Sequence, residues 1–316
     1  MRKQFIDQLV SENFISRQQE EAINEHIRNK PFSLHWELRV LLYAGILLLS
    51  SGIGIFIYEN IDSIGHTAII LFIALSCVAC FYYVFKNRMP YSNSRVVYDT
   101  PWNDYVLLLG CLLFLALEGY LQYQYNFFGT RYGIATLLPA ILFFALAYFF
   151  DHAGILSMGI TALASFAGIS VSPGIFAGYE IAENQLIFSG ASLAALLIAA
   201  GYYFKIKEIK RHFTFTYYNF GFNLFLICML GAMMTKMYPF AYLGIHVLAC
   251  ALLIRFAIHE HSFYFLLLGV LYTYAGLTWM VFYMELGSLT GLYYFVISCV
   301  GVIWFFLNYK KILKLK

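Results

Sequence analysis

The sequence predicts an all-α, polytopic membrane protein of about ten transmembrane helices, preceded by a short cytoplasmic helical hairpin. Three observations carry that expectation. Of 316 residues, 61% are hydrophobic and only 12% charged. The apolar residues run in long blocks instead of alternating stripes, and each block approaches the roughly 20 residues that a helix needs to cross hydrocarbon. A transmembrane barrel would instead alternate polar and apolar residues in segments of about ten. The net charge of +3 is modest and its cations sit beside apolar blocks, so no nucleic-acid partner is implied.

Residues 1–37 form the sizeable polar segment and lack the layout of a secretory signal, so nothing is expected to be removed. Phe5, Ile6, Leu9 and Val10 suit a short amphipathic helix. Ser16 and Gln19 make a capping box that opens a second helix carrying Ala22, Ile23 and Ile27, which Pro31 ends. A hairpin this small cannot bury a core alone and must rest on a membrane face, the helices or a protein partner. It is read as one domain, 1–37, and residues 38–316 as a ten-helix transmembrane bundle with short loops.

The ten blocks are Leu38–Tyr58, Thr67–Phe85, Tyr105–Tyr125, Ile134–Phe150, Ile155–Ser172, Gln185–Phe204, Thr214–Met234, Pro239–Ile258, Phe263–Phe282 and Leu289–Leu307. If every block crosses, eighteen of the 20 lysines and arginines fall on one side and only Arg131 and Lys236 on the other. The positive-inside rule then puts both termini in the cytoplasm. The longest inner loop, Lys86–Asp104, carries Pro90, Pro101 and Trp102 and, with Tyr105, reads as an interfacial anchor. Blocks five and six hold small residues four apart, Ala164 with Gly168, Gly190 with Ala194 and Ala195 with Ala199. That spacing lets helices approach closely, at a centre of packing or at the seam of a homo-oligomer.

The hairpin residues Leu9, Val10, Phe14, Ile15, Ser16 and Gln19, the glycines Gly45, Gly52 and Gly54, and the run Tyr58-Glu59-Asn60-Ile61-Asp62 together resemble a family of bacterial predicted membrane proteins, domain of unknown function 2157. In that family the residue after the asparagine is commonly tryptophan; here it is Ile61. The resemblance implies a bacterial inner-membrane location and no established activity.

Glu118 frames the question of function. An acid near a helix centre disfavours insertion by roughly 2.5 to 3.5 kcal/mol, whereas the leucines, Val106 and Phe114 of its block return about 4 kcal/mol. The block inserts narrowly, and such an acid belongs in a wet or paired interior. Glu118 and Gln122 lie on one helical stripe that widens outward to Asn126. By the rise of 1.5 Å per residue, Glu118 is roughly 4 to 5 Å beyond its span's midpoint. His246 has nearly that depth and Asn223 lies close to a midpoint; Tyr272, Tyr274 and Thr278 add hydroxyls to the ninth span. If these helices adjoin, they line an outward-opening polar cavity for a small polar solute or protons. The bland alternative is that the same residues hydrogen-bond helix to helix.

Metal and catalytic signatures are weak. Glu59 and Asp62, at the outer mouth of the first span, read as a helix-terminating acidic turn, since two carboxylates underfill a calcium or magnesium shell. His259-Glu260-His261 spaces its histidines two apart, not the four a zinc helix needs, and reads as a solvated turn. The six cysteines lie within apolar blocks as small hydrophobes, so neither disulfides nor zinc are expected. No phosphate loop, nucleophile elbow or dinucleotide fingerprint occurs, so the reading leans away from an enzyme and calls for no cofactor. Transport or binding of a small molecule in the bilayer is favoured; the alternative is a scaffold or accessory subunit that docks through residues 1–37.

Overall fold

The computed structural model describes residues 16, 18, 35–96, 101–129, 131–171, 183–235, 238–284 and 288–313. Most of the expected hairpin therefore lies outside the described residues. Ten helices follow: α1 (His35–Ile64), α2 (His66–Lys86), α3 (Trp102–Tyr125), α4 (Tyr132–Phe150), α5 (Ala153–Val171), α6 (Glu183–Lys207), α7 (Thr214–Thr235), α8 (Pro239–His259), α9 (Phe263–Tyr283) and α10 (Ser288–Ile312). All ten are long and apolar enough to cross a membrane, and no strand occurs among the described residues. The chain is a polytopic helical membrane protein. In hydrocarbon no water satisfies backbone N–H and C=O groups, and a helix closes all of them internally.

Helices overrun the apolar blocks, because backbone hydrogen bonding does not stop where the hydrocarbon does. α10 continues through Ile312, and α6 through Lys207. At the C-terminal end of α1 the backbone stays helical past Glu59 and Asp62 to Ile64, so the helix runs on beyond the acids expected to end it. Gly65 makes the break at φ 81°, a conformation glycine adopts without penalty. The side chains of Glu59 and Asp62 lie outside the described residues. Trp102 is exposed at the start of α3, as an interfacial anchor would be, but Tyr105 is buried.

The chain divides into two compact units, residues 1–55 and 56–316. The first holds most of α1. In the second, consecutive helices pair as α2 with α3, α4 with α5, α6 with α7 and α8 with α9. α7 is shared between two apolar cores. Its Tyr217 joins Phe143, Leu156 and Leu197 of α4, α5 and α6. Its Tyr218 and Leu226 join Leu253, Leu266 and Phe305 of α8, α9 and α10. A third, smaller core of Ile69, Ile73, Cys77 and Leu113 holds α2 to α3. Large apolar side chains such as Phe188, Leu248 and Ile297 point outward, which in a bilayer means toward lipid.

Several connections of the second unit meet on one face. The Lys210 N–H donates to the Asn93 carbonyl, the Val96 N–H to Asp151, and the His261 ring bonds the Leu313 carbonyl. Lys205 also pairs with Glu260. The turn at 259–261, read from sequence as merely solvated, thus ties the ends of α6 and α10.

α6 and α7 approach one another closely at Gly221. A Cβ added at Gly221 would lie 2.7 Å from Ile198 Cγ1 and 3.2 Å from both the Ala194 carbonyl and the Ile198 nitrogen. Backbone cannot give way as a side-chain tip can. Gly221→Val should therefore lower stability by about 1–3 kcal/mol in thermal unfolding of detergent-solubilised protein. Gly244→Ala, where the added carbon meets nothing within 4 Å, should leave it unchanged.

Candidate functional site

The side chains singled out from sequence fall into separate places. α3 carries Glu118 and Gln122, one helical turn apart, toward the connection that follows it. That connection is built locally. Asn126 ends α3 in the left-handed conformation at φ 49°, its N–H returning to the Gln122 carbonyl. The Gln122 side chain braces the turn: its Nε2 donates to Asn126 Oδ1 at 3.0 Å and to the Gly129 carbonyl at 3.1 Å, and its Oε1 accepts the Phe128 N–H at 2.8 Å.

With Gln122 and Asn126 so committed, Glu118 is left over. It is 7% exposed, and its Oε1 is buried without a hydrogen-bond partner. It lies on the wall of a cavity of about 630 Å³ whose other lining includes Gln122, Asn126, Tyr132 and Ala135. Pro139, buried within α4, has no N–H to give the Ala135 carbonyl four residues back. The cavity thus places an unpartnered buried carboxyl beside two tyrosines, Tyr123 and Tyr132, and a loosened stretch of backbone, while the Gln122 and Asn126 amides on its wall are engaged in the turn.

His246 is not among that cavity's lining residues. It is fully buried on α8, its Nε2 2.8 Å from the Tyr272 carbonyl of α9. A carbonyl only accepts, so Nε2 carries the proton and Nδ1 is the bare acceptor, buried and without a partner. Nearby, Tyr272 donates its hydroxyl to Asn223 Oδ1 at 3.1 Å, and Asn223 Nδ2 donates to the Asn219 carbonyl and side chain. Tyr264 closes on Asn219 as well. Thr278 donates to the Tyr274 carbonyl and meets the Tyr294 hydroxyl of α10. The structure brings Asn223, Tyr272 and His246 together as rungs between α7, α8 and α9. Glu118 and Gln122 are together elsewhere, and Thr278 joins α9 to α10.

One charged cluster was missed from sequence. Asp151, in the left-handed conformation at φ 61° after α4, has a side chain only 1% exposed. Its Oδ1 lies 3.0 Å from Lys210 Nζ and 2.7 Å from His212 Nε2, and its Oδ2 accepts the Val96 N–H. Lys210 is equally buried, and its ammonium sits 5.1 Å over the Tyr91 ring. The next residue, His152, caps α5: its Nδ1 accepts the Ile155 N–H at 3.1 Å. Burial holds the His152 imidazole below its ordinary value of 6.5, the Asp104 carboxylate opposing it. Among the described residues no group of three or more His, Cys, Asp or Glu side chains could hold a metal ion.

Residues 7–156 match a family described as predicted membrane protein, DUF2157, the family that the opening motifs resemble. Glu118, Gln122 and Asp151 fall inside the matched stretch; Lys210 and His246 fall beyond it. No curated protein and no solved structure matches the chain.

Two predictions arise from this geometry. Lys210→Met strands a buried carboxylate and should lower stability by about 3–5 kcal/mol, whereas Asp151→Leu combined with Lys210→Met should recover most of that loss in the same unfolding assay. For His152 the folded state binds fewer protons than the unfolded state. Its contribution is therefore intact above pH 6.5 and lost as pH falls from there through the depressed value. His152→Asn, which keeps an N-cap acceptor, should flatten that part of the stability–pH curve.

Proposed function

We propose that this chain is a multi-pass protein of the bacterial cytoplasmic membrane that binds, and moves across or within the bilayer, a small polar solute or protons through the Glu118 cavity. The observation that carries the reading is the buried, unpartnered Glu118 Oε1 on a cavity wall inside a membrane-spanning helix. Polar side chains elsewhere within the spans largely bond carbonyls of their own helix, as Ser157, Thr161 and Thr273 do, or partners on a neighbouring helix, as Tyr272 does. A carboxyl without a partner can be satisfied by a proton, a cation or the donor group of a solute arriving from the cavity. Intramembrane acids kept in this way commonly mark ion and substrate paths.

The orientation proposed is with both termini in the cytoplasm. Lys86, Arg88, Arg95, the Lys205–Arg211 run, Lys310 and Lys311 all belong to connections or helix ends on the face where Asp151, Lys210, Glu260 and Leu313 meet. Cations are retained on the inner face, so that face is cytoplasmic. The Glu118 cavity, at the far end of α3, then opens toward the outside.

Proton flux into proteoliposomes, followed with a trapped pH-sensitive dye, tests the proposal. Glu118→Gln should reduce flux by about tenfold or more, the effect of losing roughly 1.4 kcal/mol or more at one essential group. Glu118→Asp should retain part of it. Equal flux through wild type and Glu118→Gln removes the carboxyl from any proton-coupled role.

A further inference from the structure

α6 and α8 both pack along α7, and between them they leave a furrow of about 840 Å³. Phe222 and Phe225 of α7 form its floor; Ala195 and Ala199 of α6, with Ala249 and Leu252 of α8, form its walls. The small side chains of α6 keep the furrow open where larger ones would fill it. From Ala195 to Lys205 it runs about 15 Å by helical rise, which is half of the roughly 30 Å hydrocarbon and so the depth of one leaflet.

The furrow changes character at one end. It reaches Lys205, His259 and Glu260, and there it is continuous with a second cavity of about 270 Å³ that shares Lys205, Tyr218, Phe256 and Glu260. Arg211, His212, Thr214, Phe215, Ser262 and Phe265 complete that end cavity. Lys205 is paired with Glu260 and His212 faces Asp151. Arg211 makes no ion pair among the described residues and leaves the end cavity with a surplus positive charge. Thr214, 8% exposed and on the cavity lining, has a buried hydroxyl with no hydrogen-bond partner. An apolar trough one leaflet deep thus ends in a cationic chamber that holds an unanswered hydroxyl.

We propose that this furrow is a binding site for a single phospholipid with an anionic headgroup. One acyl chain lies against Phe222 and Phe225 between the alanines, and the phosphate sits at Arg211, within reach of Thr214 and Lys205. The charge surplus selects an anionic headgroup over a zwitterionic one, whose ammonium would meet Arg211. A helix of a second copy would cover the trough but leave the Thr214 hydroxyl and Arg211 unanswered, and a polar solute gains nothing from apolar walls. This site is separate from Glu118 and does not rest on the transport reading.

The test uses the full-length protein in nanodiscs that contain phosphatidylglycerol or phosphatidylcholine with the same photoactivatable acyl chain, cross-linked residues being mapped by mass spectrometry. Phosphatidylglycerol should label the furrow, within residues 195–226 and 245–256, about fivefold more than phosphatidylcholine, the selectivity one interfacial cation supplies. Arg211→Ala should bring the two lipids to near parity, and Ala199→Trp should abolish furrow labelling while labelling of other lipid-facing helices persists. Unfolding temperatures of both variants show that they are folded. The proposal is overturned by equal labelling with the two lipids, by a preference that survives Arg211→Ala, or by label spread evenly over the outer surface. It is overturned equally by cross-links to a second copy through the furrow, or by inorganic phosphate that protects the protein from unfolding as well as phosphatidylglycerol does.

Discussion

Hydrocarbon offers no hydrogen-bond partner, and almost everything in this structure follows from that deficit. Backbone groups are answered within helices. Serine and threonine hydroxyls in the spans turn back on carbonyls a turn earlier, as Ser157, Thr161 and Thr273 do. Amides and phenols answer one another across helices, as Asn223 does for Tyr272. Against that background, three buried atoms among the described residues stand out with neither a hydrogen bond nor an ion pair: Glu118 Oε1, His246 Nδ1 and Thr214 Oγ1. Two of them border cavities, and those two carry the functional proposals.

The same deficit shapes the charged face. Asp151, Lys210 and His212 come from connections on either side of α5 and α6, and all are drawn into one buried knot beside α7. Such a pair adds little net stability over an apolar replacement, because desolvation offsets attraction, but it punishes any arrangement that separates its members. It therefore fixes how the α4–α5 and α6–α7 pairs meet. Those pairs also share the core of Phe143, Leu156, Leu197 and Tyr217.

The ten spans were legible in the sequence because length and apolar content are local properties, and Glu118 was legible because an acid in an apolar run is conspicuous. The Asp151 knot was not. Lys210 reads as one more inner-loop cation and Asp151 as an ordinary loop acid, and nothing local says that they meet. Gln122 illustrates a second limit: the spacing puts it one helical turn from Glu118, yet the turn it braces depends on where Phe128 and Gly129 fold back. Asn223, Tyr272 and Thr278 were equally visible as polar residues at depth. Only contacts distinguish hydroxyls and amides that bond helices from a carboxyl that faces a cavity.

The central claim is that the Glu118 cavity is reached by water from the non-cytoplasmic side. It is tested most directly at Ala135, which lines the same cavity. In a background without the six native cysteines, Ala135→Cys in intact cells is treated with a membrane-impermeant maleimide. The account predicts labelling from outside that a prior small thiol reagent blocks. Labelling only after the cytoplasmic face is opened, or none from either side, would contradict it.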